Sequence, residues 1–186
     1  MGRLYWLLLF MATAIATHAA YVLYYPGYNF DSKVAAAMGD GSHNKMMMLS
    51  AAQVARLFPA YSANDVVAMC RYDLTQGPMQ ISARLPRGYW TFSIFTVKGR
   101  QVYSLTDAQA GESSFTVDLS QSPDILAKIK GALDDGGEAE AISEVGWKVE
   151  TPEEKGIAVI WVPVADPIFR GTTLAAVRNS TCQRVK

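Results

Sequence analysis

The chain has 186 residues, with 17 basic and 17 acidic side chains, no formal net charge and an apolar fraction of 50%. Balanced charge without a basic run gives no electrostatic footprint for nucleic acid, and no acidic tail, low-complexity tract or solenoid-length repeat is present. Once an apolar amino-terminal stretch is set aside, about 160 residues remain, enough for one domain with its own core.

Leu4 to Tyr25 (LYWLLLFMATAIATHAAYVLYY) carries no acid, Lys or Arg. As a helix it rises about 33 Å, enough to cross a hydrocarbon core of roughly 30 Å. Arg3 precedes it, so the positive-inside bias places the amino terminus in the cytoplasm, and Tyr5, Trp6, Tyr21, Tyr24, Tyr25 and Tyr28 fall where interfacial aromatics belong. The rival is a cleaved signal peptide. Ala14-Ile15-Ala16 fits a small-x-small cleavage pattern, but the apolar run continues well past it. Residues 1–28 are therefore read as a membrane anchor in contact with the bilayer, and 29–186 as one exported domain. His18 is placed near the outer interface.

Pro26-Gly27 is expected to end the anchor. Asp31 then reads as the N-cap of a short helix, Ser32 to Met38, closed by Gly39, Asp40 and Gly41. Asn44 to Leu49 is read as a strand. Ser50 caps a helix to about Leu57, stopped by Pro59. Asn64 to Asp107 holds the densest pattern: strands at Val66–Asp73, Met79–Leu85, Tyr89–Val97 and Gln101–Leu105, with turns at Gln76-Gly77-Pro78, Pro86-Arg87-Gly88 and Lys98-Gly99-Arg100. Met79, Ile81, Ala83 and Leu85 alternate with polar residues, the period of a half-buried strand. Strand spacings of about 10–12 residues favour an antiparallel sandwich or barrel over βαβ units.

Ser113–Leu119 is a further strand. Ser122-Pro123-Asp124 opens a helix to about Lys130, with Pro123 at its first position, and 133–140 reads as an exposed acidic loop. Trp147–Glu150 and Gly156–Val164 flank Thr-Pro-Glu-Glu-Lys and read as a hairpin whose second strand Pro163 demotes to an edge. Asp166-Pro167 begins a last helix, about Ile168 to Asn179, with Leu174 and Val177 at core spacing. The expected fold is mainly β: an antiparallel β-sandwich-like domain with a few peripheral helices, preceded by one transmembrane helix.

Cys70-Arg71-Tyr72-Asp73-Leu74, Gly77-Pro78, Gly88-Tyr89-Trp90-Thr91-Phe92-Ser93 and Val102-Tyr103-Ser104-Leu105-Thr106-Asp107 resemble the bacterial membrane proteins of the domain of unknown function 1254 family. The likeness continues more loosely into Trp161-Val162-Pro163 and a terminal helix followed by a cysteine, while 30–60 match poorly. The resemblance implies a β-rich domain in the bacterial envelope, often accompanied by a sister domain. It implies no established activity.

Cys70 and Cys182 are the only cysteines. An even count in an exported domain invites a disulfide, and the similar placement in the resembled family supports this pair. The bond would close 111 intervening residues, a loop for which chain entropy gives about 4.7 kcal/mol. The alternative is two separate buried thiols. No Cys-x-x-Cys is present to suggest a redox enzyme.

His43 is the only histidine outside the apolar segment, and no nucleophile motif accompanies it, so it reads as a surface residue. One such histidine and two cysteines do not make a structural zinc site. Met46-Met47-Met48 offers soft ligands for cuprous copper, but successive strand residues face opposite ways and core filling is the ordinary role. Asp65, Asp73, Asp107 and Asp118 lie at or near strand ends, where two could form an acid/base pair; the ordinary role there is turn hydrogen bonding. Arg71 and Asp73 share a strand face and could pair. With Trp90, Tyr103 and Asp107 they outline a binding surface, although core packing claims most of the aromatic group Tyr89, Trp90, Phe92, Phe95 and Tyr103.

No metal or other cofactor is called for. The leading expectation is a non-enzymatic protein of the bacterial inner membrane, single-pass, with its carboxy-terminal domain in the periplasm, acting as an interaction or assembly module with an envelope partner such as the sister-domain protein. The alternatives are a periplasmic enzyme acting on envelope lipid or glycan through strand-end carboxylates, and a protein binding an apolar ligand in an aromatic-lined groove.

Overall fold

A computed structural model describes residues 2–39, 43–122 and 146–185. The expected helix after Ser122 and the acidic loop at 133–140 lie outside the described residues. The domain is a β-sandwich with helices on one outer face. One sheet has the order β1 (Met46–Met48), β2 (Val66–Asp73), β8 (Lys155–Val162), β4 (Thr91–Thr96), β5 (Gln101–Thr106), all antiparallel. The other has the order β7 (Trp147–Thr151), β6 (Ser114–Gln121), β3 (Met79–Arg84), β9 (Thr181–Arg184), with β6 and β7 parallel.

Strand periodicity sorts the side chains into two cores. Between the sheets lie Ala68, Cys70, Tyr72, Trp90, Phe92, Ile94, Phe115, Val117 and Ile160. On the outer face of the first sheet, Val67, Met69, Ile157 and Val159 pack against Val34, Met38 and Val54 from helices. β2 and β8 contribute to both cores. That two-sided burial explains why they read as nearly continuous apolar runs, while β3 and β6 alternate. In β1, Met46 and Met48 pack toward the inter-sheet core and Met47 toward the helices, so the three thioethers do not converge.

The amino-terminal helix α1 runs without interruption from Gly2 to Met38, 37 residues. It is long and apolar enough to cross a membrane. Pro26-Gly27 does not end it, and Asp31 is an exposed residue inside it, not an N-cap. A proline inside a helix costs roughly 3 kcal/mol. Burying Val34 and Met38 against the sheet returns about 1.5–3 kcal/mol each, so tertiary packing outweighs the local break. Gly27 abuts Lys98, and the Phe30 ring lies against Gly99 (φ +77°) in the β4–β5 turn. A Cβ at Gly99 would lie 3.2 Å from that ring, which would have to give way slightly, and the positive φ strains any side chain there.

Helix α2 (Ala51–Leu57) has a capping box: Ser50 accepts from Gln53 N–H at 3.3 Å, and the Ser50 N–H donates to Gln53 Oε1 at 2.7 Å. Gln53 Nε2 also donates to the Ala37 carbonyl at 2.6 Å, tying α2 to the end of α1. A four-residue helix α3 (Asp107–Ala110) follows β5. A 3-10 turn (Pro167–Phe169), capped by Asp166, leads into α4 (Arg170–Arg178). Val177 is buried and Leu174 packs on the core, as their spacing implied.

Two expectations near the carboxy terminus need correction. β7 and β8 form no hairpin; they belong to different sheets, and 152–154 cross between them. Stacked sheets lie about 10 Å apart, which three residues can span. β8 is also no edge: it pairs β2 on one side and β4 on the other, and Pro163 falls just past its end. Finally, Cys182 sits in a strand, β9, which pairs with β3. The Cys70 and Cys182 sulfurs are at bonding distance, with Cα atoms 6.4 Å apart across 112 positions of sequence. The link joins β2 to β9, one sheet to the other.

Candidate functional site

The sandwich has two ends. The β4–β5 turn, where α1 arrives, marks the helix-proximal end. The opposite end carries the turns at 58–65, 86–90 and 163–169. β8 measures the distance between them: Asp73 pairs with Lys155 and Thr91 with Trp161, six residues apart, or about 20 Å along a strand.

This separation divides the residues singled out by sequence. Arg71 and Asp73 are at the helix-proximal end. Trp90 and Asp107 are at the far end, where the Asp107 N–H donates to the Trp90 carbonyl at 3.3 Å. Tyr103 is mid-strand in β5, opposite Ile94 and partly buried against the inter-sheet core. The five do not form one surface. Trp90 is 1% exposed and stacks on Phe115 with centroids 5.3 Å apart, so its ring is core. It still forms the floor of an open polar cleft of about 420 Å³ with Arg87, Asp107 and Glu112 at the rim.

Of the four strand-end aspartates, Asp65, Asp73 and Asp118 have their carboxylates occupied by hydrogen bonds. The ion pair of Asp73 is with Lys155, at 3.2 Å. Asp73 Oδ1 also accepts from the Thr75 hydroxyl at 2.6 Å and the Thr75 N–H at 3.0 Å, an Asx turn. The Thr75 hydroxyl, then its N–H and the Lys155 ammonium, outweigh burial and lower the Asp73 pKa to about 2. Because the folded value lies below the unfolded one, this stabilisation is present above about pH 4 and is lost as the pH falls toward 2. Asp73→Asn should therefore lose stability at neutral pH and flatten the acid limb of the stability–pH curve between pH 4 and 2, as read by urea melts. Asp118 accepts from Gln80 Nε2 at 2.9 Å across β3 and β6.

Arg71 and the exposed His43 lie on a small cavity of about 200 Å³ beside α1, with Lys155 and Tyr72. Burial, with a smaller contribution from Glu153, raises the Tyr72 pKa against the Thr151 hydrogen bond. Among the described residues, no group of three or more His, Cys, Asp or Glu is placed to hold a metal ion.

At the far end is an aromatic group that sequence reading missed. Phe58 stacks on Tyr61 at 5.1 Å, Tyr61 stacks on Trp161 at 4.7 Å, and Tyr89 meets Trp161 edge-on at 5.8 Å. The buried Asp65 holds the group in place. Its Oδ2 accepts from Trp161 Nε1 at 2.9 Å and from the Ser62 N–H at 3.0 Å, and Oδ1 accepts from the Val164 N–H at 3.2 Å. Burial first, then the Asp65 carboxylate and Tyr89, raise the Tyr61 pKa, so the phenol stays protonated at neutral pH. Tyr89 is 54% exposed, and Ile168 and Phe169, on the chain leaving β8, are 77% and 61% exposed. Outside α1, Val185 is the one other large apolar side chain this open among the described residues. The signal was present in Tyr61-x-x-x-Asp65 and Trp161, but they are 96 residues apart and only the β2–β8 register brings them together.

No family model and no curated protein matches this chain. Among solved structures, it is similar to the VPA0106 protein of Vibrio parahaemolyticus, with TM-score 0.59 and 11% identity over 86% of this chain and 36% of that one. An uncharacterised protein of Burkholderia cenocepacia aligns with TM-score 0.45 and 13% identity over 91% of this chain and 42% of that one. The first likeness is one of fold. The chain spans well under half the length of either protein.

Proposed function

We propose that this chain is a single-pass protein of the bacterial inner membrane whose periplasmic β domain is a non-enzymatic interaction or assembly module. The far-end aromatic group carries the reading. Trp161 is held by the buried Asp65 carboxylate, Tyr61 stacks on Trp161, and Tyr89, Ile168 and Phe169 offer apolar surface at the end of the domain opposite the β4–β5 turn. Rigid aromatic anchors with partial exposure are what protein interfaces enrich. A helix able to span a membrane and a cysteine pair at bonding distance support an anchored domain in an oxidising compartment. The partner is an envelope protein, with the sister-domain companion implied by the family resemblance as the first to test.

A photo-crosslinking residue at Tyr89 or Ile168 should give the same discrete adduct in cells, and one at Gln183 on β9 should not. Trp161→Ala should abolish the adduct while the protein still folds. Absence of any specific adduct from both far-end positions would count against the reading.

A further inference from the structure

The angle between α1 and the β4–β5 turn encloses a groove of about 830 Å³, toward the upper end of the roughly 300–1,000 Å³ of small-molecule sites. On one side are Ala20, Tyr21 and Tyr24 of the helix, and on the other Val97 and Lys98 of the turn. The turn is fixed against the helix. A Cβ at Gly27 would lie 3.2 Å from Lys98 Cβ, and one at Gly99 would lie 3.2 Å from the Phe30 ring.

We propose that this groove seats one bilayer phospholipid whose headgroup carries both a phosphate and a primary amine, with the phosphate at Lys98 and the ammonium at Asp31. The inference rests on the membrane-anchor reading above. Depth selects a lipid as occupant. Tyr25 closes the apolar span, and Asp31 follows it by six residues, about 9 Å along the axis. The polar layer on each side of a bilayer is about 5–8 Å thick, so the Ala20–Tyr24 wall lies at acyl-chain depth, Lys98 beside Gly27 within the headgroup layer, and Asp31 at its outer edge, where the amine of a headgroup lies beyond its phosphate.

Charge selects the headgroup. Lys98 and Asp31 are the charged residues lining the groove, one of each sign. Neither has an ion-pair partner among the described residues. A phosphate suits the ammonium of Lys98, and a primary ammonium can donate hydrogen bonds to the Asp31 carboxylate, which a trimethylammonium cannot. The adjoining cavity shares Asp31 with the groove and adds Arg71 and Lys155, of which Lys155 is engaged by Asp73; the groove's own lining holds one cation and one carboxylate, which is the balance of a zwitterionic headgroup.

The test uses the full chain in nanodiscs containing equal parts phosphatidylethanolamine, phosphatidylcholine and phosphatidylglycerol, released into native mass spectrometry. One retained lipid is expected, with phosphatidylethanolamine enriched over phosphatidylcholine by about tenfold, the size expected of one charge-assisted hydrogen bond. Asp31→Asn should abolish that preference and Lys98→Gln should abolish retention, while Arg87→Gln at the far end changes neither. An intact Cys70–Cys182 bond and an unchanged melting temperature would show that each variant is folded. Equal retention of all three lipids, preference for phosphatidylglycerol, or no retention by an inserted protein would overturn this proposal alone. A chain that fails to enter the nanodisc would overturn the membrane-anchor reading with it.

Discussion

Replacing Cys70 and Cys182 together with alanine should lower the unfolding free energy of the domain by about 3–5 kcal/mol. The bond closes a loop of more than a hundred residues, for which the loss of chain entropy in the unfolded state alone gives about 4.7 kcal/mol. It also ties the interior strand β2 to the short strand β9, whose one strand neighbour among the described residues is β3. β9 exposes three of its four residues and buries Cys182, so the bond adds a covalent tie at the one buried side chain of a strand otherwise held by its ladder with β3. Alanine avoids burying a hydroxyl where Cys70 is 0% exposed. Urea unfolding of wild type and double variant under non-reducing conditions reads the difference directly. A loss below about 1 kcal/mol would mean that β9 is held by other contacts.

Gly156→Ala should be nearly as damaging, at about 3 kcal/mol or more. Gly156 lies in β8 opposite Tyr72 on one side and Thr96 on the other. An added Cβ would collide with the Tyr72 hydroxyl and the Phe95 carbonyl. A side-chain tip can swing away, but a backbone carbonyl in a central ladder cannot, which puts the cost at the top of the usual 1–3 kcal/mol for overpacking or above it. No positive φ is involved, so the effect is steric and not conformational. Adding Tyr72→Phe should recover only part of the loss, because the Phe95 carbonyl remains. Full recovery in urea melts of the double variant would place the whole clash on the hydroxyl.

Strand positions were legible wherever a single rule decided them. Val66–Asp73 was bounded by turn residues, and Met79–Leu85 alternated, so both strands appear where expected. Misreadings arose where distant packing overrode a local signal. Pro26-Gly27 reads as a stop, yet Val34 and Met38 find a sheet to pack on and the helix continues. The short link Thr-Pro-Glu-Glu-Lys reads as a hairpin, but the same few residues can cross between sheets. The continuous run Gly-Ile-Ala-Val-Ile-Trp-Val was the better guide, since a strand apolar on both faces needs cover on both. Thr-Cys-Gln-Arg carries no strand pattern and becomes β9 only by pairing with β3.

The candidate sites were less legible for the same reason. Arg71, Asp73, Trp90, Tyr103 and Asp107 were grouped because they fall within one stretch of sequence, whereas antiparallel pairing sends them to opposite ends and the middle of a sheet. The far-end group joins Phe58, Tyr61, Tyr89 and Trp161 from three separate stretches. Asp65 reads as an ordinary turn aspartate until β8 brings the Trp161 indole N–H to it.

In the proposed arrangement α1 anchors a domain exposed on the outer side of the inner membrane. The most direct measurement is protease access to a tag fused after Lys186, in bacterial cells whose outer membrane has been removed. The tag should be digested while the inner membrane is intact, and the protein should stay in the membrane fraction after alkaline carbonate washing. A tag protected until the cells are lysed, or a protein that washes into the soluble fraction, would contradict it.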